Sequence, residues 1–127
     1  MSEHKSVGVG LVGAGFLART RVRCYAKAAG VHARLAAVCS STSEKAAEFA
    51  GQHGVAVACA DLDELLARDD VQLVDLCVPN HLHRPFAERA AAAGKHVVCT
   101  KPLSAYVGQD LPEGTPYGDV SAVPRAR

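Results

Sequence analysis

The stretch Val7-Gly8-Val9-Gly10-Leu11-Val12-Gly13-Ala14-Gly15-Phe16-Leu17-Ala18 decides the fold. An apolar run leads directly into two closely spaced glycines, and a segment of helical period follows, so the chain passes from buried strand to tight turn to helix. The spacing Gly13-x-Gly15-x-x-Ala18 is that of a dinucleotide-binding fingerprint. Gly13 permits the tight turn, Gly15 lets the backbone approach a pyrophosphate, and small Ala18 lets the helix pack closely on the strand. The helix that opens at Phe16 and Leu17 points unpaired N–H groups and the positive end of its dipole at the phosphates. An ordinary glycine turn shares the spacing, and it is the strand-turn-helix context that separates this one from it.

Working outward, apolar runs alternate with segments of helical period, the pattern of a parallel sheet covered by helices. Strands are expected near Ser6 to Val12, Arg34 to Cys39, Ala56 to Ala58, Leu73 to Cys77 and His96 to Cys99. A first helix is expected from Phe16 to Ala29, stopped by Gly30, and a second after Ser41 and Glu44, which have capping-box spacing, fading by Gly54. Asp61 and Glu64 mark the start of a third helix running to about Arg68, and Asn80 caps a fourth that carries the alanine-rich stretch to Gly94. The fold class is therefore α/β, a Rossmann-type doubly wound parallel sheet of about five strands with helices on both faces and no second domain. The domain is expected over 1–106, with a Pro/Gly-rich loop or tail over 107–127.

The chain has 127 residues, 49% of them hydrophobic, which suits one domain with a real core. A net charge of +1 with scattered basic residues argues against nucleic acid or an anionic membrane as partner. No segment has the apolar length of a signal-peptide core or a membrane span, so a cytoplasmic location is expected. The five cysteines form no Cys-x-x-Cys pair, and their odd number argues against a complete disulfide framework. Cys39, Cys77 and Cys99 fall at strand ends, where small apolar residues pack, and are assigned to the core rather than to nucleophilic chemistry.

An NAD site usually ends its second strand in an acidic residue that holds the ribose 2′-hydroxyl. Here that position is Ser40, and Ser40-Ser41-Thr42 supplies hydroxyls without a carboxylate. A 2′-phosphate escapes repulsion there, and Lys45, one turn into the next helix, adds attraction. The cofactor expectation is NADP or NAD, leaning to NADP.

From Val7 to about Pro102 the chain resembles the amino-terminal domain of the Gfo/Idh/MocA oxidoreductases. Three motifs in order carry the resemblance: the glycine fingerprint, Val78-Pro79-Asn80-His81-Leu82-His83 after the fourth strand, and Ala93-Gly94-Lys95-His96-Val97-Val98-Cys99-Thr100-Lys101-Pro102 around the fifth. The resemblance implies that Pro79 and Asn80 lie beside the cofactor's ribose and nicotinamide, and that His83 matches a histidine common in the family; its plainer alternative is a bond to neighbouring backbone. It also makes Lys101 the catalytic candidate, a cation that orients the substrate hydroxyl and steadies charge as hydride leaves. Thr100 stands where the family usually has Glu, a departure that keeps a hydroxyl for the cofactor but alters the charge around Lys101. His81 and His83 form a His-x-His pair with no further ligand cluster, so no metal is expected.

The family continues into a mostly sheet-containing domain that binds a sugar, polyol or related hydroxyl compound and commonly supplies an Asp-x-x-x-His pair. No Asp here is followed four residues later by His, so the chain reads as truncated and not competent for turnover alone. A missing last strand would expose a sheet edge, which predicts reduced stability or self-association, a homo-oligomer included. The alternative is a stand-alone dinucleotide-binding sensor, or a module that pairs with a partner supplying the substrate domain.

Overall fold

The computed structural model describes residues 6–28, 32–104 and 112–114. The apolar run before the fingerprint forms β1 (Val7–Val12), followed by α1 (Phe16–Lys27), β2 (Ala33–Cys39), α2 (Ser43–His53), β3 (Val57–Ala58), α3 (Leu62–Leu66), β4 (Leu73–Leu76), α4 (His83–Ala92) and β5 (His96–Cys99). All strand pairs are parallel, in the order β3-β2-β1-β4-β5, and β2 accommodates one extra residue where the register shifts opposite Val9 and Gly10.

Alternation along the strands splits the core in two. Val9, Leu11 and Val38 face α1 and α2 with Ala18, Phe49 and Val55, while Val12, Val74 and Leu76 face α3 and α4 with Leu65, Leu66 and Ala90. Leu65 is fully buried and comes so close to β1 that a Cβ on Gly10 would lie 2.7 Å from its Cδ2. Burying such a side chain contributes about 1.5–3 kcal/mol. Ala18 is fully buried beneath α1, as the third fingerprint position requires.

Several expected boundaries shift. The first helix ends at Lys27, with Ala28 as its cap; Ala29 and Gly30 lie outside the described residues. Ser41 does not cap α2: Thr42 does, its side chain accepting from Lys45 N–H at 3.2 Å. The third helix stops at Leu66, because Arg68 turns back to pair with Asp70 as the chain bends to place Gln72 beside Gly8. Asn80 does not cap α4 either. It opens a single 3-10 turn, Asn80–Leu82, whose first carbonyl accepts the His83 N–H, and α4 continues from there. Of the expected tail, only Pro112 to Gly114 are described.

Asp75, fully buried on β4, is held from α1: Tyr25 donates its hydroxyl to Oδ2 at 2.8 Å, and Arg21 Nε lies 3.2 Å from the same oxygen. The Arg21 contact is a charge contact without hydrogen-bond alignment, since Nε has no hydrogen-bond partner. Burial, then the Asp75 bond, pushes the Tyr25 hydroxyl above its usual range. Burial likewise pushes the Cys39 and Cys77 thiols up to about 12, so both stay protonated and act as small apolar residues. Cys59 is also buried, whereas Cys24 is exposed.

These raised values set the alkaline limit of stability. The unfolded chain releases thiol and phenol protons that the folded chain retains, so stability is fully present below about pH 9 and declines as pH rises toward 12. Each retained proton steepens the loss by about 1.4 kcal/mol per pH unit. Urea unfolding at stepped pH should show a plateau through neutrality and a fall above 9, shallower in Cys39→Ala. A flat profile to pH 11 would contradict the buried, protonated thiols. At pH 7, Tyr25→Phe removes a donor to a buried carboxylate and should lower stability by about 1–3 kcal/mol in the same assay.

Candidate functional site

The crossover from β1 leaves on one face of the sheet and that from β4 on the other, so a crevice opens between them at the carboxyl ends of the strands. The cleft there has a volume of about 1010 Å³, at the upper end of the roughly 300–1,000 Å³ typical of small-molecule sites.

Its floor is the turn Gly13-Ala14-Gly15. Gly13 has φ +110°, and a Cβ there would lie 2.1 Å from the Cys77 carbonyl oxygen, so both conformation and contact demand glycine. Its N–H donates to the Cys39 carbonyl at 2.8 Å, tying the turn to the end of β2. Gly15 differs. Its φ is −94°, open to any residue, and nothing lies within 4 Å of where a Cβ would be. The protein leaves that space empty on the cleft side.

Gly15 also precedes α1, whose start has neither a side-chain cap nor an acidic residue in its first turn. The first N–H groups of the helix, on Phe16, Leu17 and Ala18, have no carbonyl one turn back to accept from them. In α2 and α3 such groups are served by Thr42 and by Asp61, which accepts from Glu64 N–H at 2.8 Å. A glycine with a vacant Cβ position and an uncapped helix start fit an anionic group lodged against the turn.

Ser40, Ser41 and Lys45 line the side of the cleft beyond β2, and Lys45 Nζ reaches the Ser41 hydroxyl at 3.4 Å. Pro79 lines the opposite side with Val78 and His81. The structure thus brings Gly13, Gly15, Ser40, Ser41, Lys45 and Pro79 together around one cavity. Other expected site residues lie off its wall. The Phe16 side chain is 74% exposed and Leu17 is half-buried, so only their backbone is suitably placed. Thr42 caps α2, Asn80 is exposed in the 3-10 turn, and Thr100 and Lys101 follow β5, with Lys101 exposed and joined to Pro102 by a cis peptide bond. His83 is buried behind the cleft, both ring nitrogens against backbone carbonyls.

The wall also holds charges that sequence reasoning missed: Arg19, Glu48, Asp61, Asp63 and Arg89. Arg89 of α4 is paired with Asp63 of α3 and lies over the Phe86 ring. Arg19 was legible in principle, since it stands one helical turn beyond Gly15 and donates its N–H to the Gly15 carbonyl at 3.1 Å. Among the described residues no three His, Cys, Asp or Glu side chains gather as metal ligands, and no helix is long and apolar enough to cross a membrane.

A family model described as an oxidoreductase family with an NAD-binding Rossmann fold matches residues 7–111. The chain belongs to the Gfo/Idh/MocA oxidoreductase family. Among its Gfo/Idh/MocA relatives, levoglucosan dehydrogenase of Pseudarthrobacter phenanthrenivorans is 34% identical over 107 residues, covering 79% of this chain and 27% of the relative. The NADP(+)-dependent scyllo-inositol 2-dehydrogenase IolU of Bacillus subtilis is 42% identical over 71 residues, covering 56% of this chain and 22% of the relative. A solved structure of levoglucosan dehydrogenase in complex with NADH superimposes with a TM-score of 0.73 at 33% identity, over 79% of this chain and 28% of that one. The chain thus spans between a fifth and three tenths of the length of the curated relatives it matches, and the part it spans is the family's NAD-binding domain.

The two fingerprint glycines make opposite predictions. Gly15→Val fills vacant space and replaces an N-cap glycine, so urea unfolding should change by no more than about 1 kcal/mol while calorimetric titration shows dinucleotide affinity lost. Gly13→Ala incurs about 1–3 kcal/mol of backbone strain alone plus the contact with Cys77, and should lower the unfolding midpoint. Equal effects on stability from both variants would refute this division of roles.

Proposed function

We propose that this domain binds a nicotinamide dinucleotide, with NADP preferred over NAD, as the cofactor domain of an oxidoreductase acting on a sugar, polyol or related hydroxyl compound. The observation that carries the reading is the vacant Cβ position of Gly15 at the uncapped start of α1. The N–H groups of Phe16 and Leu17 would hold the pyrophosphate there. The names of relatives support the substrate class, since levoglucosan and scyllo-inositol are hydroxylated rings. Work in the cytoplasm suits this assignment.

Preference for NADP rests on what ends β2. Ser40, Ser41 and Thr42 put no carboxylate against a 2′-phosphate, while Lys45 and Arg19 supply cations on the same wall. A carboxylate about 4 Å from that phosphate would repel it by roughly 4 kcal/mol at an effective dielectric near 20.

At the opposite end, Pro79 and Asn80 would border the ribose and nicotinamide, and the Thr100 hydroxyl would take the place of a carboxylate beside them. The bound nicotinamide supplies a hydride acceptor or donor for a carbinol carbon. Lys101 orients the substrate hydroxyl and steadies the charge on its oxygen. The 127 residues contain no Asp-x-x-x-His pair.

Calorimetric titration with NADPH and NADH tests both levels of the proposal. NADPH should bind at least about tenfold more tightly, with the advantage shrinking as salt is raised. Ser40→Asp should reverse the order. Stronger NADH binding by the unaltered chain would sink the NADP preference, and binding of neither would sink the dinucleotide reading.

A further inference from the structure

His83 opens α4 and is only 1% exposed. Its Nδ1 lies 2.6 Å from the Pro102 carbonyl oxygen and its Nε2 3.1 Å from that of Val78. Both partners are acceptors, so each bond must come from a ring N–H, and a neutral imidazole serves one carbonyl at a time while a doubly protonated ring serves both. The ring lies between two segments far apart in sequence, the one that leads from β4 to Pro79 on the cleft wall and the one that carries Lys101 away from β5, and a proton on Nδ1 is what makes the shorter contact, to Pro102, a bond.

The second segment has little else to hold it. Lys101, Pro102, Leu103 and Ser104 are all exposed, and Leu103 is 75% exposed. Among the described residues, the contact to His83 is the one side-chain hydrogen bond made by residues 101–104. A buried ring held between two carbonyls is also badly placed to touch a ligand directly, because each of its polar atoms faces a backbone carbonyl and not the cleft.

We propose that His83 is a positioning residue: donating from Nδ1, it fastens the Pro102 carbonyl to the start of α4 and thereby fixes the backbone of Lys101 at the nicotinamide end of the crevice. Its influence on the cofactor passes through Lys101 and Pro102. The binding consequence rests on the dinucleotide reading above; the clamp itself does not.

The test uses the full chain with His83→Phe, which keeps the volume and removes the donors, and His83→Gln, whose amide nitrogen carries two N–H groups. Heteronuclear 15N NOEs of the Thr100 and Leu103 amides report the order of the segment without ligand. NADPH is titrated alongside 2′-phospho-ADP-ribose, which lacks the nicotinamide. His83→Phe should lower both NOEs and leave those of the sheet amides unchanged. It should weaken NADPH about tenfold with 2′-phospho-ADP-ribose unaffected, and His83→Gln should recover the greater part of each. A residue that merely stabilised the fold would move both ligands together. Unchanged NOEs in His83→Phe, or the same loss in Phe and Gln variants, would overturn the clamp. If the unaltered chain binds neither ligand, the dinucleotide reading fails while the NOEs still decide the clamp.

Discussion

The missing side chain of Gly13 is the constraint on which the rest of the domain depends. β1 and β4 are neighbours, and their carboxyl ends come so close that the space a Cβ would occupy at Gly13 is taken by the Cys77 carbonyl. With φ at +110° the chain reverses in one residue, so α1 starts at the sheet edge instead of overshooting it. Ala18 can then lie flat on Val9 and Leu11. Widening the gap would move the start of α1 from the crevice and open the core beneath it. Packing and site geometry therefore share one cause: the approach that buries Ala18 also brings the uncapped N–H groups to the cleft.

Polar groups buried under α1 fix its placement more narrowly than apolar packing does. An apolar face tolerates sliding, because dispersion contacts are short-ranged but not directional. The bond from Tyr25 to Asp75 is directional, and Arg21 sets an opposing charge beside the same carboxylate oxygen. A buried carboxylate without those partners would be costly, so α1 is held in the register that supplies them. Lys95 plays a similar part at the opposite end of the sheet, donating to the Arg68 and Val71 carbonyls at 2.8 and 2.7 Å where the chain enters β5.

Strands were the most legible part of the sequence. Each lies within one residue of its expected bounds, because the central strands are apolar runs apart from Arg34 and Asp75 and each run ends where the burial ends. Caps were harder to read. Ser40-Ser41-Thr42-Ser43 offers a hydroxyl at every position, and spacing alone cannot choose between Ser41 with Glu44 and Thr42 with Lys45; the backbone decides, turning extended at Thr42. Asn80 has the chemistry of a cap, but the chain after Pro79 takes a 3-10 turn first, which moves the helix start to His83. In the cleft, residues on the glycine turn and after β2 were legible because they are close in sequence. Arg89 and Asp63 were not, since only the folded sheet brings α4 across to α3.

The cleft is built differently at its two ends, and the difference explains what can vary. The glycine turn presents backbone N–H groups and an absent side chain, so most side chains around it can change without altering what it presents, provided Gly13 and Gly15 remain. Beyond β2 the cleft is lined by the Ser41 hydroxyl and the Lys45 ammonium, and a single substitution there changes the charge of the wall. The segment after β5 is a third case. Lys101 is exposed on a stretch that packs little apolar surface, so its placement comes from hydrogen bonding to a neighbouring element and not from burial. A short anchor of this kind holds the backbone while leaving the lysine side chain its own freedom.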